Sequence, residues 1–332
     1  MGNLKLTLAC WDYDRTRGLF DGRVCPEGID LELWSTSNVG EIMERMLRHR
    51  QFDVSELGIT YYLRSLELMD APFIAIPVFP NRFFRHSSIF VNATKGIESP
   101  GDLAGRRIGE LHRYGHDAGI WAKGALSDDF GVKATTLVHY VGGMDRTATA
   151  PDWAPFDPPA NVTINHLSAE QGLDQMLESG EIDALFTAHV PPSARKNPDR
   201  VRRLFPDFEE VERDYFRRNA IFPIMHTVVI RRDIYEQNRW IARAVMQAFE
   251  EAKVLAMKAY NAADIFFNAP TMIPWFVSLR DKNRALMGEN FWPYGVEANR
   301  KTLEACLRYH REQGILKHSY KIEELFASET LG

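Results

Sequence analysis

Cysteine is scarce: the 332 residues contain three, Cys10, Cys25 and Cys306. An odd count without a CxxC pair gives no basis for a disulfide framework or a thiolate zinc site, and it suits a reducing compartment. Long apolar runs are also missing. No stretch reaches the about 18 apolar residues of a membrane span. The opening decapeptide MGNLKLTLAC lacks the apolar core of about 7–15 residues that a signal peptide needs, because Lys5 and Thr7 interrupt it. Leu8-Ala9-Cys10 resembles a lipoprotein cleavage site but has no room before it for an export segment, and Leu6 stands where myristoylation requires Ser or Thr. The expectation is an unexported, cytoplasmic protein. Positive charge is not in excess either: 40 Lys plus Arg against 45 Asp plus Glu leave a net charge of −5. Phosphate repulsion then argues against nucleic acid and anionic membrane as partners, while a local basic pocket for a small anion remains compatible. There is no GxGxxG, no GxxxxGK followed by Ser or Thr, and no GxSxG, so neither a nucleotide-binding enzyme nor a serine hydrolase is expected.

What is present is an ordinary globular composition, 45% hydrophobic and 26% charged. At roughly 150 residues per domain the length suggests two domains. The pattern reads as alternating strands and helices. Lys5–Ala9, Ile29–Trp34, Phe52–Leu57 and Phe73–Phe79 read as strands, with helices from Asn38 to Leu47 and from Thr60 to Met69. A second unit follows, with strands at Ile89–Asn92, Arg107–Glu110, Val138–Val141, Val162–Asn165 and Ile182–Thr187. Its helices are expected over Ala118–Phe130 and Ala169–Glu178. Gly142–Asn161, rich in Pro, Asp and Gly, reads as a surface excursion, and Arg200–Arg218 shows no clean period. Ile224–Arg231 is a strong strand. Ile241, Val245, Ala248, Ala252, Leu255 and Ala259 mark one helix over Ile234–Tyr260. This rhythm indicates an α/β protein with mostly parallel sheets, which bind ligands in loops at the carboxyl ends of their strands.

Several strings make the pattern more specific. Leu103-Ala104-Gly105-Arg106-Arg107-Ile108-Gly109 and Gly180-Glu181-Ile182-Asp183-Ala184 resemble the second-lobe signatures of type II periplasmic-binding-protein folds. Phe222-Pro223-Ile224-Met225-His226-Thr227 and Phe291-Trp292-Pro293-Tyr294-Gly295 resemble the 4,5-dihydroxyphthalate decarboxylase family. So do Asp12-Tyr13-Asp14-Arg15-Thr16 and Arg85-His86-Ser87-Ser88-Ile89, and the resemblance covers essentially the whole chain. One stretch departs: where the family carries a Tyr-Gln-Met-Thr-like run after Gly109, this chain reads Leu111-His112-Arg113-Tyr114-Gly115-His116-Asp117. The resemblance implies a two-lobed α/β fold with two crossover strands and a ligand cleft between the lobes. Lobe one would hold residues 1–86 plus 226–332, and lobe two 87–225.

The resemblance also implies a carboxy-lyase acting on a hydroxylated aromatic acid without an organic cofactor. The rival reading is a non-catalytic receptor for a small aromatic or anionic ligand on the same fold. Candidate residues fall into groups. Arg82, Arg85 and His86 lie together where the chain leaves lobe one, and an arginine fork suits a carboxylate. His226, between Met225 and Thr227, is a candidate proton donor, with Glu56 and His86 as further candidates. Glu56 would act as an acid if burial raised its pKa; the bland alternative is a salt bridge to Arg15 or another arginine. Asp12, Arg15 and Ser55 lie in or beside strand-end loops and are candidate substrate contacts, with an Asp-capped turn as the alternative for the first two. Arg113, His116 and His189 are candidate anion contacts, the first two at an expected helix start. A divalent metal at His112, His116 and Asp117 is the alternative there, though no HxH or HExxH motif supports one. A homo-oligomer is compatible with all of this.

Overall fold

The computed structural model describes residues 2–145, 159–266 and 269–331. In chain order the elements begin β1 (Leu4–Ala9), α1 (Arg17–Phe20), β2 (Ile29–Trp34), α2 (Val39–His49), β3 (Val54–Gly58), α3 (Ile59–Leu66) and β4 (Phe73–Ile76). Then come β5 (Ile89–Asn92), β6 (Arg107–Leu111), α4 (Asp117–Phe130), β7 (Val138–Gly142), β8 (Thr163–His166), α5 (Leu173–Ser179) and β9 (Ala184–Phe186). The remainder is α6 (Pro192–Lys196), β10 (Val201–Arg203), α7 (Phe208–Asn219), β11 (His226–Arg231), α8 (Arg232–Gln237), α9 (Ile241–Phe266), α10 (Phe276–Met287) and α11 (Arg300–Glu312). No helix among the described residues is long and apolar enough to cross a membrane.

The chain divides into two compact units, both discontinuous in sequence. The first comprises Met1–Asn81, His226–Leu303 and Tyr320–Gly332, the second Arg82–Met225 and Glu304–Ser319. The first unit is built on a five-stranded sheet in the order β2-β1-β3-β11-β4. β2, β1 and β3 run parallel, and β11 is antiparallel to both its neighbours. As the middle strand, β3 is buried at all five positions. Asn38 caps α2 by accepting from Gly40 N at 3.0 Å, and α2 buries Ile42, Met43 and Met46.

The second unit holds a six-stranded sheet in the order β10-β5-β9-β6-β7-β8. Its core gathers Ile89, Val91, Ile108, Ala122, Leu126 and Phe186, among others. Helix α4 is buried from Asp117 to Leu126, so its glycines mark close approaches. A Cβ on Gly124 would lie 2.3 Å from the Tyr309 ring.

The structure differs from the sequence reading in definable places. The expected helix over 234–260 is two, α8 and α9, because Asn238 leaves helical geometry at φ −144°. The segment 200–218 without a clear period contains β10 and α7. That helix buries only Tyr215 and covers its outer face with the pairs Glu209–Arg213 and Asp214–Arg218, so no apolar stripe is visible in the sequence. β4 stops at Ile76, because Pro77 has no N–H for a ladder. Of the expected excursion over 142–161, residues 146–158 lie outside the described residues.

Residues 82–86 and 304–319, expected in the first lobe, belong to the second unit. Arg82 bridges Ile224, and Phe84 stacks on Phe222 at 4.8 Å. Arg308 and Tyr309 of α11 bind Asp128, while the Gln313 amide donates to the Ile120 carbonyl at 2.9 Å.

Candidate active site

In the first unit the sheet register creates a site. β11 runs antiparallel to β3 with Val228 opposite Glu56 and His226 opposite Gly58. His226 is therefore the diagonal neighbour of Glu56 on the same face, within side-chain reach, and Gly58 places no side chain against the imidazole. His226 Nδ1 lies 2.6 Å from Glu56 Oε1. The Tyr13 hydroxyl donates to that same oxygen at 2.7 Å, and the Trp11 N–H donates to Oε2 at 2.9 Å. Glu56 is fully buried and His226 is 8% exposed.

Burial alone would push the Glu56 carboxyl up. The hydrogen bond and charge of His226, then the Trp11 N–H and Tyr13 hydroxyl, outweigh it and hold the group below the usual carboxylate range. The expectation of a raised, protonated Glu56 acting as an acid is therefore corrected, and its alternative pairing with Arg15 is not what the structure shows. Glu56 is a carboxylate whose acceptor capacity is committed to three donors. With Nδ1 turned to Glu56, Nε2 is the ring nitrogen that can exchange a proton with a ligand. Burial and the adjacent carboxylate push the Tyr13 phenol far above its ordinary range, so it acts as a donor.

The loop after β1 surrounds this group. Arg15 donates through Nε to the Pro80 carbonyl at 2.6 Å and through its guanidinium to Asp14 at 3.0 Å. Its guanidinium carbon lies 3.9 Å from the Tyr13 ring centre and 4.2 Å from that of Trp292. Arg15 thus braces the loop. Asp12 pairs with exposed Arg17 at 3.1 Å, and the buried Ser55 hydroxyl donates to the Glu56 carbonyl at 2.9 Å. Neither Asp12 nor Ser55 is directed to the Glu56–His226 pair by these bonds. Sequence reasoning passed over Tyr13 as a functional residue. Its signal was available as a phenol in a loop at the carboxyl end of a strand.

The second unit holds the remaining candidates. Arg85 is 8% exposed, contacts Met225 Sδ at 3.1 Å and Ser88 Oγ at 3.5 Å, and has no carboxylate within ion-pair distance among the described residues. Burial lowers its pKa to about 10, with Asp117 and Glu212 opposing, so the guanidinium stays charged at neutral pH. Arg82 donates to the Phe222 carbonyl at 3.2 Å. His86 is corrected: its ring packs between Phe205 at 5.4 Å and Tyr215 at 5.1 Å, and burial lowers its pKa to about 4. A neutral imidazole in an aromatic core is a packing residue.

His116 forms the N-cap of α4, its ring 5.6 Å from that of His112, and Arg113 beside it is buried. Burial, aided by His189 and Arg113, lowers His112 to about 4; burial and Arg85 lower His189. His112, Arg113, His189 and Arg85 therefore share one electrostatic neighbourhood. No group of three or more His, Cys, Asp or Glu suited to a metal ion occurs among the described residues. Sequence reasoning also missed a buried ionic core: Glu110 accepts from Lys123 at 2.7 Å and from Gly115 N at 3.0 Å, with the Lys123 ammonium 3.7 Å from the Tyr114 ring centre.

No family model matches the chain. Among solved structures, it is similar to the SsuA protein of Methylobacillus flagellatus, with a TM-score of 0.56 and 15% identity over 98% of this chain and 92% of that one. The periplasmic aliphatic sulphonate binding protein SsuA of Escherichia coli gives a TM-score of 0.51 and 13% identity over 97% and 91%. At such identities the likeness shows the fold: a two-lobed α/β architecture of the periplasmic-binding-protein type. Among curated proteins, a 4,5-dihydroxyphthalate decarboxylase of Pseudomonas putida is 34% identical over 217 residues, 65% of this chain and 83% of the relative. The enzyme of the same name from Comamonas testosteroni is 31% identical over 331 residues, covering 100% of this chain and 98% of the relative. On that full-length match, the chain belongs to the 4,5-dihydroxyphthalate decarboxylase family.

Proposed function

We propose that the protein catalyses the non-oxidative decarboxylation of a hydroxylated aromatic carboxylic acid, of which 4,5-dihydroxyphthalate is the type. The observation that carries this reading is the Glu56–His226 pair, a buried carboxylate holding an imidazole by Nδ1 at 2.6 Å. The reaction consumes one proton. A ring oxygen para to the leaving carboxylate pushes an electron pair into the ring, and the carbon bearing the carboxylate takes a proton from His226 Nε2. The bond to the carboxylate then breaks, carbon dioxide leaves, and the electron pair of that bond restores the aromatic ring. His226 recovers its proton from water. Glu56 stays ionised throughout and stabilises the imidazolium that precedes transfer.

The ring oxygen is the electron source, so the proposed step needs no organic cofactor. Arg85 is the residue proposed to hold an anionic group of the acid, because its buried charge lacks a carboxylate partner among the described residues. Arg113, His116 and His189 are proposed as further polar contacts. Activity in the cytoplasm belongs to the same proposal.

The test is incubation of the purified protein with a panel of hydroxybenzoates and hydroxyphthalates, following carbon dioxide release. Release from an acid with a para hydroxyl, and none from the deoxy analogue, is expected. Tight binding of the panel without any release would favour the receptor reading instead.

A further inference from the structure

The Glu56 carboxylate is held by more than the imidazole it serves. Tyr13 places its hydroxyl 2.7 Å from Oε1, the oxygen that His226 also uses at 2.6 Å. Two donors thus share one acceptor, while Oε2 takes the Trp11 N–H. The phenol is fixed from several sides. The Tyr13 N–H donates to Thr16 Oγ1 at 2.8 Å, its ring lies against the Arg15 guanidinium at 3.9 Å, and the Trp11 ring meets it edge-on at 5.3 Å. A side chain held this firmly costs little further entropy to keep its hydroxyl aimed.

We infer that Tyr13 is a positioning residue for proton transfer: through Glu56, it divides the carboxylate's negative charge between two donors and so sets how firmly His226 is held. The charge on Oε1 is limited. With Tyr13 donating, part of it is spent on the phenol, and the Nδ1–H bond is correspondingly weaker. Without the hydroxyl, the charge concentrates on His226, which then holds its protons more firmly and gives up Nε2–H less readily. The groups facing Glu56 are His226 from β11, and Tyr13 and Cys10 from the chain after β1, with Asp12 and Arg15 further along that loop. Arg15 and Asp12 touch other partners, Pro80 and Arg17, so the phenol is the neutral side-chain donor on the oxygen that His226 uses.

The inference rests on the decarboxylase reading for its kinetic consequence, but not for its spectroscopic one. Tyr13→Phe keeps the ring under Arg15 and removes only the hydroxyl. Its kcat on the accepted aromatic acid is expected to fall roughly 10-fold with KM nearly unchanged, the size of one hydrogen bond to a charged group. The acid limb of the pH–rate profile is expected to move to higher pH, because Glu56 loses a donor that favours its ionised form. In proton NMR, the His226 Nδ1–H resonance is expected to move downfield. Fluorotyrosine at position 13, a stronger donor of nearly the same shape, should move that resonance upfield, and it serves if Tyr13→Phe does not fold. An unmoved resonance and an unmoved acid limb would overturn the inference and leave Tyr13 as packing. A raised KM with kcat unchanged would overturn it too, by placing Tyr13 on the substrate. If the wild-type protein releases no carbon dioxide, the decarboxylase reading fails, and the NMR shifts alone decide the role of Tyr13.

Discussion

His226 and Glu56 are 170 positions apart in the chain and 2.6 Å apart in space. Each was legible in the sequence as a residue of interest, His226 in an apolar strand and Glu56 at a strand end. Their pairing was not, because it depends on the antiparallel register of β11 on β3, and strand register is invisible without knowing which strands are neighbours. The pKa of Glu56 was misread for the same reason: burial could be expected from the sequence, but the three donors that reverse its effect could not. Arg85 gives the opposite case. Its sequence neighbours Arg82 and His86 suggested one cationic cluster, yet His86 packs against aromatic rings and Arg82 donates to a backbone carbonyl. Arg85→Ala is expected to weaken aromatic-acid binding by about 2–5 kcal/mol, as for a buried hydrogen-bonded charge, when measured by calorimetry. Affinity unchanged within about 0.5 kcal/mol, the usual spread for substitutions away from any such feature, would make Arg85 structural.

Among the elements, β1, β2, β6, β7 and β11 were legible because their apolar residues alternate or run continuously between turn signals. α4 was legible as a helix but not as a helix buried almost all round. Its glycines report that burial. Gly124 sits against Tyr309 of α11, and an added Cβ would meet the ring at 2.3 Å. Gly124→Ala is expected to cost about 1–3 kcal/mol through overpacking, outweighing the better helix propensity of alanine. A thermal melt checks this: a lowered Tm is expected, and an unchanged or raised Tm would show that Tyr309 yields without strain. α7 was not legible, because a helix that buries one residue carries almost no periodic signal.

On the scale of the whole molecule, each unit holds a fully buried carboxylate with a depressed pKa, Glu56 in the first and Glu110 in the second. Burial pushes both up, but His226, the Trp11 N–H and the Tyr13 hydroxyl together outweigh it at Glu56, as Lys123 and His139 together do at Glu110. A group depressed in the folded state contributes its full stability above its unfolded pKa, about 4.3 for Glu, and loses it as pH falls through the lower folded value. The Tm is therefore expected to hold above about pH 4.3 and to fall as the pH drops from there toward the lower folded values. A Tm that stays flat down to pH 3 would contradict this pairing. The sequence reading expects one discontinuous lobe, 1–86 plus 226–332, around a continuous one, 87–225, whereas both compact units are discontinuous. The return of 304–319 to the second unit was not legible, since α11 reads as one amphipathic helix with no break at 303.

The proton transfer itself is most directly tested on His226→Gln. Turnover of the accepted aromatic acid should be measured beside its binding affinity and the variant's thermal stability. Expected are a folded protein, affinity within a few-fold of wild type, and a loss of about 10²–10⁴-fold in the rate of carbon dioxide release, the usual size of general acid–base catalysis. Turnover retained within a few-fold, in a variant that folds and binds, would contradict the assignment of His226 as the proton donor.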